Sequence, residues 1–531
     1  MRIKAVLEEL KDELPSVRVL GKAELSSREI ISVMVYEACS SFCLLIVVFC
    51  FSGGYARAAM FDVISFGARA DGKTDDTKAF VAAWKEACQS SGKVNLLVPE
   101  GKYLVGPVKF TGPCQNVSSL TLHVKGQLTA TTDLSTYGSN AAWIQFGRVT
   151  GLTLTGGGTF DGQGSKAWPY NDCPTNINCY LLPTSLKFVA TNRTVVRGIT
   201  SLNSKFFHMA VVECKDFTGS EIRIVAPEDS PNTDGIHVER SSGVYISGSR
   251  IGTGDDCISI GQGNSHVTIS GIWCGPGHGI SVGSLGKYPN ERDVSGLVVK
   301  DCTVTGTTNG IRIKTWAKVP ERERCSSAAT NMTFDNIVMN NVTNPIIIDQ
   351  EYCPFASCAS KAPSLVKLSD IYFRNIRGTS SSAAAVILEC SKGIPCQNVF
   401  LENVNLKFSL GSQRATSTCK NVKATYSGTQ VPPPCTSKSV ATLRESYSGR
   451  SVRKILNWGW GFLSSGESHK IKKAVLGGQS GTSWRNLVQN VRIRVKKILT
   501  SNHNVGRPQT CRYNSFDYSK NFDDGCSKSC V

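Results

Sequence analysis

Hydrophobic and polar positions along this 531-residue chain change their period once. Over residues 74–88, apolar side chains recur every four positions at Phe80, Trp84 and Cys88. That spacing predicts a short amphipathic helix with Thr74 or Asp75 as its N-cap. From there to Cys435 the chain reads as short apolar runs broken by Gly, Asn, Asp and Ser, the pattern of strands joined by turns.

The runs repeat. Asp234-Gly-Ile-His-Val, Asp256-Cys-Ile-Ser-Ile, His278-Gly-Ile-Ser-Val and Asn309-Gly-Ile-Arg-Ile align on Ile236, Ile258, Ile280 and Ile311, with steps of 22, 22 and 31 residues. A further step of 36 leads to Ile347. Tyr245-Ile246, Thr268-Ile269, Val298-Val299 and Thr333-Phe334 form a second series, so each repeat carries more than one strand. A fixed period of this size is the mark of a solenoid. The expected fold is all-β, a parallel β-helix whose longer steps are coils with inserted loops. The helix at 74–88 caps its open apolar end.

Charge and cysteine content set the boundaries. The formal charge is +18, but residues 436–531 hold 17 Lys and Arg against 5 Asp and Glu, a net +12. Residues 1–60 hold 7 of each sign. The basic character is therefore a property of the C-terminal segment, with clusters such as Arg492 to Lys497. A solvated extension is the simpler reading of it, and no nucleic-acid partner is expected. Of 21 cysteines, 15 lie in 61–435 without C-x-x-C pairs, which points to an oxidising compartment rather than zinc. Sequons at Asn116, Asn192, Asn331 and Asn341 agree with secretion and glycosylation. Ten apolar residues from Phe42 to Phe51 precede Ala56-Arg57-Ala58, a signal-peptide core followed by a small-x-small cleavage site. That run is too short for a stable membrane span. It begins well into the chain, which makes Met34 a candidate start. The expected organisation is 1–58 atypical extension plus signal peptide, 59–435 catalytic β-helix, and 436–531 basic extension.

The 22-residue register has a chemical consequence. Asp234, Asp256 and His278 each stand two positions before a matching isoleucine and should stack on one edge of three coils. Asp255 adjoins Asp256 and points elsewhere. Arg312, Lys314 and Tyr352 follow from later coils. Three carboxylates this close cannot all ionise freely, and repulsion should keep one protonated. A proton donor beside ionised carboxylates is the requirement of glycosidic cleavage. Two cations outward of the acids suit a sugar that bears a carboxylate. Each member alone has a plainer explanation, as a turn Asp, a turn His or alternating charges on a strand. Their convergence at one register is the signal.

With these residues the sequence resembles the polygalacturonases, a pectin-degrading glycoside hydrolase family. The resemblance rests on Ser230-Pro-Asn-Thr-Asp-Gly235, Gly254-Asp-Asp-Cys257, Gly277-His-Gly279 and Arg312-Ile-Lys314, and it covers Phe61 to Cys435. The wording around Gly283-Ser-Leu-Gly286 is most like the plant exo-acting, pollen-type members. The resemblance implies a right-handed, single-stranded β-helix and inverting hydrolysis of polygalacturonate without metal or organic cofactor. It implies Asp255 as general acid, Asp234 and Asp256 as the pair that activates water, and His278 as the residue orienting the acid. It further implies Asn232, Arg312, Lys314 and Tyr352 as substrate-binding residues, and a Cys257–Cys274 disulfide beside the site. Cys390–Cys396 and Cys419–Cys435 are expected as local bridges. The implied setting is a secreted monomer acting on cell-wall pectin. Two rivals use the same scaffold. A pectate lyase would need a Ca²⁺ site and an arginine base, leaving the aspartate pair superfluous, and a retired wall-binding protein would have lost an acidic position. Hydrolases of rhamnogalacturonan or xylogalacturonan are nearer alternatives.

Residues 59–435 expressed alone should retain full activity, since the motifs, the cap and the last cysteine pair lie inside them. An insoluble or inactive truncate in a reducing-sugar assay would show that the C-terminal segment is part of the fold.

Overall fold

The computed structural model describes residues 58–435 except 139–141, 174–175, 177–178, 289, 318–326, 354–362 and 410–413. Apart from Ala58, the expectations for the leader and for the basic C-terminal segment therefore lie outside the described residues.

The alternating runs form a parallel β-helix, with an eleven-stranded sheet on one face and twenty-two strands wrapping the others. Every paired strand is parallel, and the connections follow the right-handed rule for parallel crossovers. The eleven-stranded face carries the site. In chain order its strands include β1 (Thr184–Val189), β2 (Met209–Val212), β3 (Ile236–Glu239), β4 (Ile258–Ile260), β5 (Ile280–Leu285), β6 (Asn309–Trp316) and β7 (Asn344–Tyr352). Ile236, Ile258, Ile280 and Ile311 are register partners, as the 22-residue spacing predicts. The next partner of Ile311 is Ile346, one residue before the expected Ile347, and Ile347 instead faces outward beside Arg312. Asn344-Pro-Ile-Ile-Ile gives no unique phase, because three successive isoleucines fit either alternation. The second series, from Tyr245-Ile246 to Thr333-Phe334, pairs residue for residue as expected.

Inward residues make one continuous core. Phe110, Phe146, Phe188 and Phe217 stack along it with ring centroids 5.5, 5.0 and 5.2 Å apart. Asn336, Asn375 and Asn398 hold left-handed backbone at corners and donate to Asp301, Asp335 and Asp370 on preceding coils. This structural Asn–Asp ladder stands apart from the three clustered aspartates.

The capping helix α1 spans Thr77–Gln89, three residues later than expected. Asp71–Asp75 instead pairs as a strand with Lys102–Val105. Asp76, at the N-cap, turns its carboxylate back to accept from the Arg69 and Ala70 N–H groups. Phe80 and Trp84 close the first coil, and the Trp84 ring stacks on Phe110 at 4.7 Å. Cys88 is bonded to Cys114. The expected bridges Cys257–Cys274, Cys390–Cys396 and Cys419–Cys435 form, as does Cys173–Cys179. Cys353 is also disulfide-bonded, while Cys214 and Cys302 are free thiols buried in the core.

Trp84→Ala should destabilise the domain by about 3–5 kcal/mol, as loss of a buried aromatic does. The loss should appear as a lowered thermal midpoint with unchanged disulfide content. An unaltered midpoint would show that α1 does not seal the core.

Candidate active site

Outward residues of the eleven-stranded sheet form a column at one register. It runs Lys187, Ala210, His237, Ser259, Ser281, Arg312 and Ile347. A cleft of about 540 Å³ lies over the middle of this column. It is lined by Asn232, Asp234, Asp255, Asp256, His278, Arg312, Lys314 and Tyr352, so every residue expected to contact substrate or do chemistry is in one place.

Close packing of successive turns brings them together. A Cβ on Gly254 would lie 2.1 Å from the Ser230 carbonyl, and one on Gly277, at φ +134°, would lie 2.4 Å from the Asp255 carbonyl. Only glycine allows both approaches. The His278 N–H then donates to the Asp255 carbonyl at 2.9 Å, and His278 Nδ1 lies 2.9 Å from Asp255 Oδ1. That hydrogen bond to Asp255 raises the His278 pKa despite partial burial.

Asp256 is buried and fully engaged. It accepts from Ser281 Oγ at 2.6 Å, an Arg312 guanidinium nitrogen at 2.9 Å and Lys314 Nζ at 3.1 Å. Burial pushes its pKa up, but Lys314, Arg312 and the Ser281 hydroxyl outweigh that and hold it at about 2. Asp234 is also buried, and Lys314, paired with Asp256, pulls on it only from a distance. Desolvation first, then the charges of Asp255 and Asp256, raise its pKa well above the usual carboxylate range, against a hydrogen bond from Ser259. The member of the cluster that repulsion and burial keep protonated is thus Asp234.

Arg312 and Lys314 do not stand outward of the acids as expected. They sit two coils on, beyond Ser281, and clamp Asp256, and Arg312 Nε also donates to Ser281 Oγ at 3.1 Å. The remaining donors of Arg312 and Lys314 border the cleft. Tyr352 packs against Trp316 with ring centroids 5.5 Å apart, and Lys314 Nζ lies 5.4 Å from the Tyr352 ring. Asn232 holds left-handed backbone, and its side-chain oxygen accepts from Asn171. The buried Cys257–Cys274 bridge lies directly behind Asp256. Asp255, Asp256 and His278 bring donor atoms within 4.8 Å of one another, a spacing that a metal ion could use. Two cations already on Asp256 oppose a third there.

Sequence reasoning missed Ser281, His237 and Glu239. They sit in or directly after the repeat motifs, one or three positions after the aligned isoleucines, and register alone would have placed them on the outward face.

A cleft on a parallel β-helix, lined by clustered carboxylates and carrying its own cations, defines a glycoside hydrolase scaffold. Residues 88–429 match the model of glycosyl hydrolases family 28, and the chain belongs to that family. It is 48% identical over 380 residues to an exopolygalacturonase of Platanus acerifolia, covering 72% of this chain and 98% of that protein. It is 45% identical over 385 residues to a polygalacturonase of Gossypium hirsutum, covering 72% of this chain and 92% of that one. Among solved structures, the exopolygalacturonase of Thermotoga maritima shares the fold at TM-score 0.56 and 20% identity, covering 69% of this chain and 91% of its own. The endo-xylogalacturonan hydrolase of Aspergillus tubingensis aligns at TM-score 0.59 and 25% identity, covering 70% and 100%.

The two buried aspartates should respond to pH with opposite signs. Asp234 keeps its proton longer in the native state than in the unfolded one, so it costs stability as pH rises above about 4. Asp234→Asn should therefore raise the thermal midpoint at neutral pH, with the gain vanishing below that pH. Asp256→Asn should lower the midpoint by the equivalent of about 3–5 kcal/mol, because Arg312 and Lys314 lose their counter-charge. Midpoints of equal sign for the two variants would contradict this division of charge.

Proposed function

We propose that this protein hydrolyses α-1,4-galacturonosidic bonds of polygalacturonate with inversion and releases galacturonate from chain ends, as a secreted enzyme of the plant cell wall. The observation that carries the reading is the cluster of Asp234, Asp255 and Asp256 in one cleft with Arg312 and Lys314. The relatives named exopolygalacturonase, from Platanus acerifolia, Zea mays and Oenothera organensis, support the substrate and the exo mode. Five described disulfides support an oxidising destination. None of the described helices is long and apolar enough to cross a membrane.

Asp255 is the proton donor to the leaving oxygen. Its Oδ1 already accepts from His278 and from the Asp256 N–H, which leaves Oδ2 to carry and deliver the proton. The raised His278 imidazole favours the carboxylate that Asp255 becomes, so the interaction strengthens as the proton leaves. Asp256, held ionised by its two cations, and Asp234 flank the attacking water. Arg312 and Lys314 direct their remaining donors to the sugar carboxylate. Separate acid and base groups with room for water between them give inversion.

The exo mode has a physical basis in the covered end of the sheet. Lys187 and Ala210 belong to the outward column, yet they are 5% and 0% exposed. No residue of β1 or β2 lines the cleft. It ends instead against Leu181, Cys173, Asn176 and Cys179 and against Phe206 and Phe207, which lie one coil before Asp234. Phe206 and Phe207 stack at 4.4 Å and bury with Ala167 and Leu182 in an apolar cluster of their own. A polymer cannot run past this wall, so only a chain end fits.

Asp255→Asn should lower kcat roughly 10²–10⁴-fold with little change in KM, as loss of a general acid does. On the parent enzyme, monogalacturonate should be the first product resolved by chromatography, with little fall in viscosity. Oligomers preceding monomer would make the enzyme endo-acting, and an ultraviolet-absorbing unsaturated product would make it a lyase.

A further inference from the structure

A buried line of polar groups leads away from the Asp234 carboxyl. The Ser259 hydroxyl hydrogen-bonds Asp234, and Ser259 Oγ lies 2.8 Å from His237 Nδ1. His237 Nε2 lies 3.7 Å from Glu239 Oε2. Glu239 Oε1 in turn accepts from Arg240 at 2.6 Å and from Gln262 at 3.2 Å, and Arg240 also pairs with Glu213. His237 is 7% exposed and faces the cleft one register step from Ser259, with the Phe207 ring 5.0 Å from its own. A contrasting residue shows that this differs from a merely packed histidine. His208 also meets a serine, Ser201 at 2.9 Å, but has no carboxylate, and burial pushes its pKa down to about 3.

We infer that His237 is a positioning residue for the water-activating carboxylate, drawing the proton off Asp234 through the Ser259 hydroxyl while Glu239 anchors the imidazole. The inference rests on the reading of Asp234 as part of the base. In the resting arrangement Asp234 is protonated and donates to Ser259 Oγ, whose hydroxyl donates to Nδ1, while Nε2–H points to Glu239. In the active arrangement the Asp234 O–H bond has broken and a Ser259 O–H bond has formed with that proton. The original Ser259 proton now sits on Nδ1. An Asp234 carboxylate and a His237 imidazolium replace a carboxyl and an imidazole, and no proton leaves the cluster. When water then gives its proton to Asp234, the cluster holds one proton in excess and Asp255 lacks one. Exchange through solvent in the open cleft restores both.

The surroundings suit an imidazolium that forms and discharges. Glu239 and Arg240 face it from its own coil, Gln262 from the next, and Lys187 from two coils back in the same column. Burial lowers the Lys187 pKa to about 7, against the pull of Glu239, so this nearest added cation is readily relieved of its charge. The arrangement answers a difficulty of the site. A buried carboxyl whose proton is held firmly is a poor base unless another group can take that proton within the fold.

His237→Asn, Ser259→Ala and Glu239→Gln, made in the full chain, test the relay on trigalacturonate across pH. Each should lower kcat by about 10- to 100-fold, short of the loss of a direct proton-transfer group. KM should stay within about twofold. The acidic limb of kcat/KM should move to higher pH by roughly half a unit or more, because Asp234 keeps its proton longer. The His237→Asn/Ser259→Ala double variant should lose no more than either single one. Parental kcat and an unmoved limb in His237→Asn overturn the inference. So does a limb that moves in His237→Asn but not in Ser259→Ala. Should His237→Asn fail to fold by near-ultraviolet circular dichroism, Ser259→Ala decides alone. Asp234→Asn separates the two levels. If it stays active, the base assignment fails and the relay with it. If it is inactive while the relay variants behave as parent, only the relay fails.

Discussion

Backbone hydrogen bonding between successive coils is the constraint on which the rest of this molecule depends. Each strand both gives N–H groups to and takes them from each of its two neighbours, so a side chain cannot move along the sheet without breaking a ladder. The acidic residues are themselves rungs. The carbonyl of Asp234 accepts from His208 at 2.8 Å, that of Asp256 from Gly235 at 2.9 Å, and that of Asp255 from His278 at 2.9 Å. Residues 22 positions apart thereby become neighbours about 4.8 Å apart across strands. The catalytic geometry is inherited from the coil rather than built by a loop. This suits a reaction whose acid and base must hold a fixed separation.

That rigidity forces an electrostatic problem, which the sequence solves unequally. Packing three carboxylates on adjacent coils is unfavourable unless their charges are divided. Two cations from two coils further on settle Asp256 as an anion, at the cost of desolvating all three groups. Asp234, with no cation of its own, takes the opposite state. Arg312 and Lys314 therefore act before any substrate arrives. They are counter-ions of the site first, and their leftover donors are what a uronate can use.

The periodic parts were legible in the sequence. Three matching isoleucine steps and four motifs located the sheet, the cleft and all eight expected site residues, because a strict period converts spacing into position. Less was legible where local chemistry competes with period. The helix begins late because Asp71–Asp75 pairs as a strand, so that Asp75 reaches no N–H beyond that of Thr77, and the phase at Ile346 slips because three isoleucines in a row carry no alternation. The placement of Arg312 and Lys314 was misjudged in depth. An outward-pointing residue is not necessarily an outlying one when a carboxylate two coils back is within its reach. His237 and Glu239 were written in the same repeats, but a single histidine beside an isoleucine gives no sign that a glutamate two residues on will reach it.

The wall and the chemistry are usually treated as separable, since loops set the length of a cleft and strands set the reacting groups. Here they touch. Phe206 and Phe207 close the groove as part of an apolar cluster outside the main core, and the Phe207 ring packs over His237, two contacts from the Asp234 carboxyl. Removing the wall to admit a longer chain would also admit water to His237 and Glu239, whose mutual attraction depends on the low dielectric that the wall maintains. An enzyme so built cannot exchange chain-end for mid-chain cleavage by trimming a loop alone. The same aromatic pair that stops the polymer keeps dry the groups that serve the base.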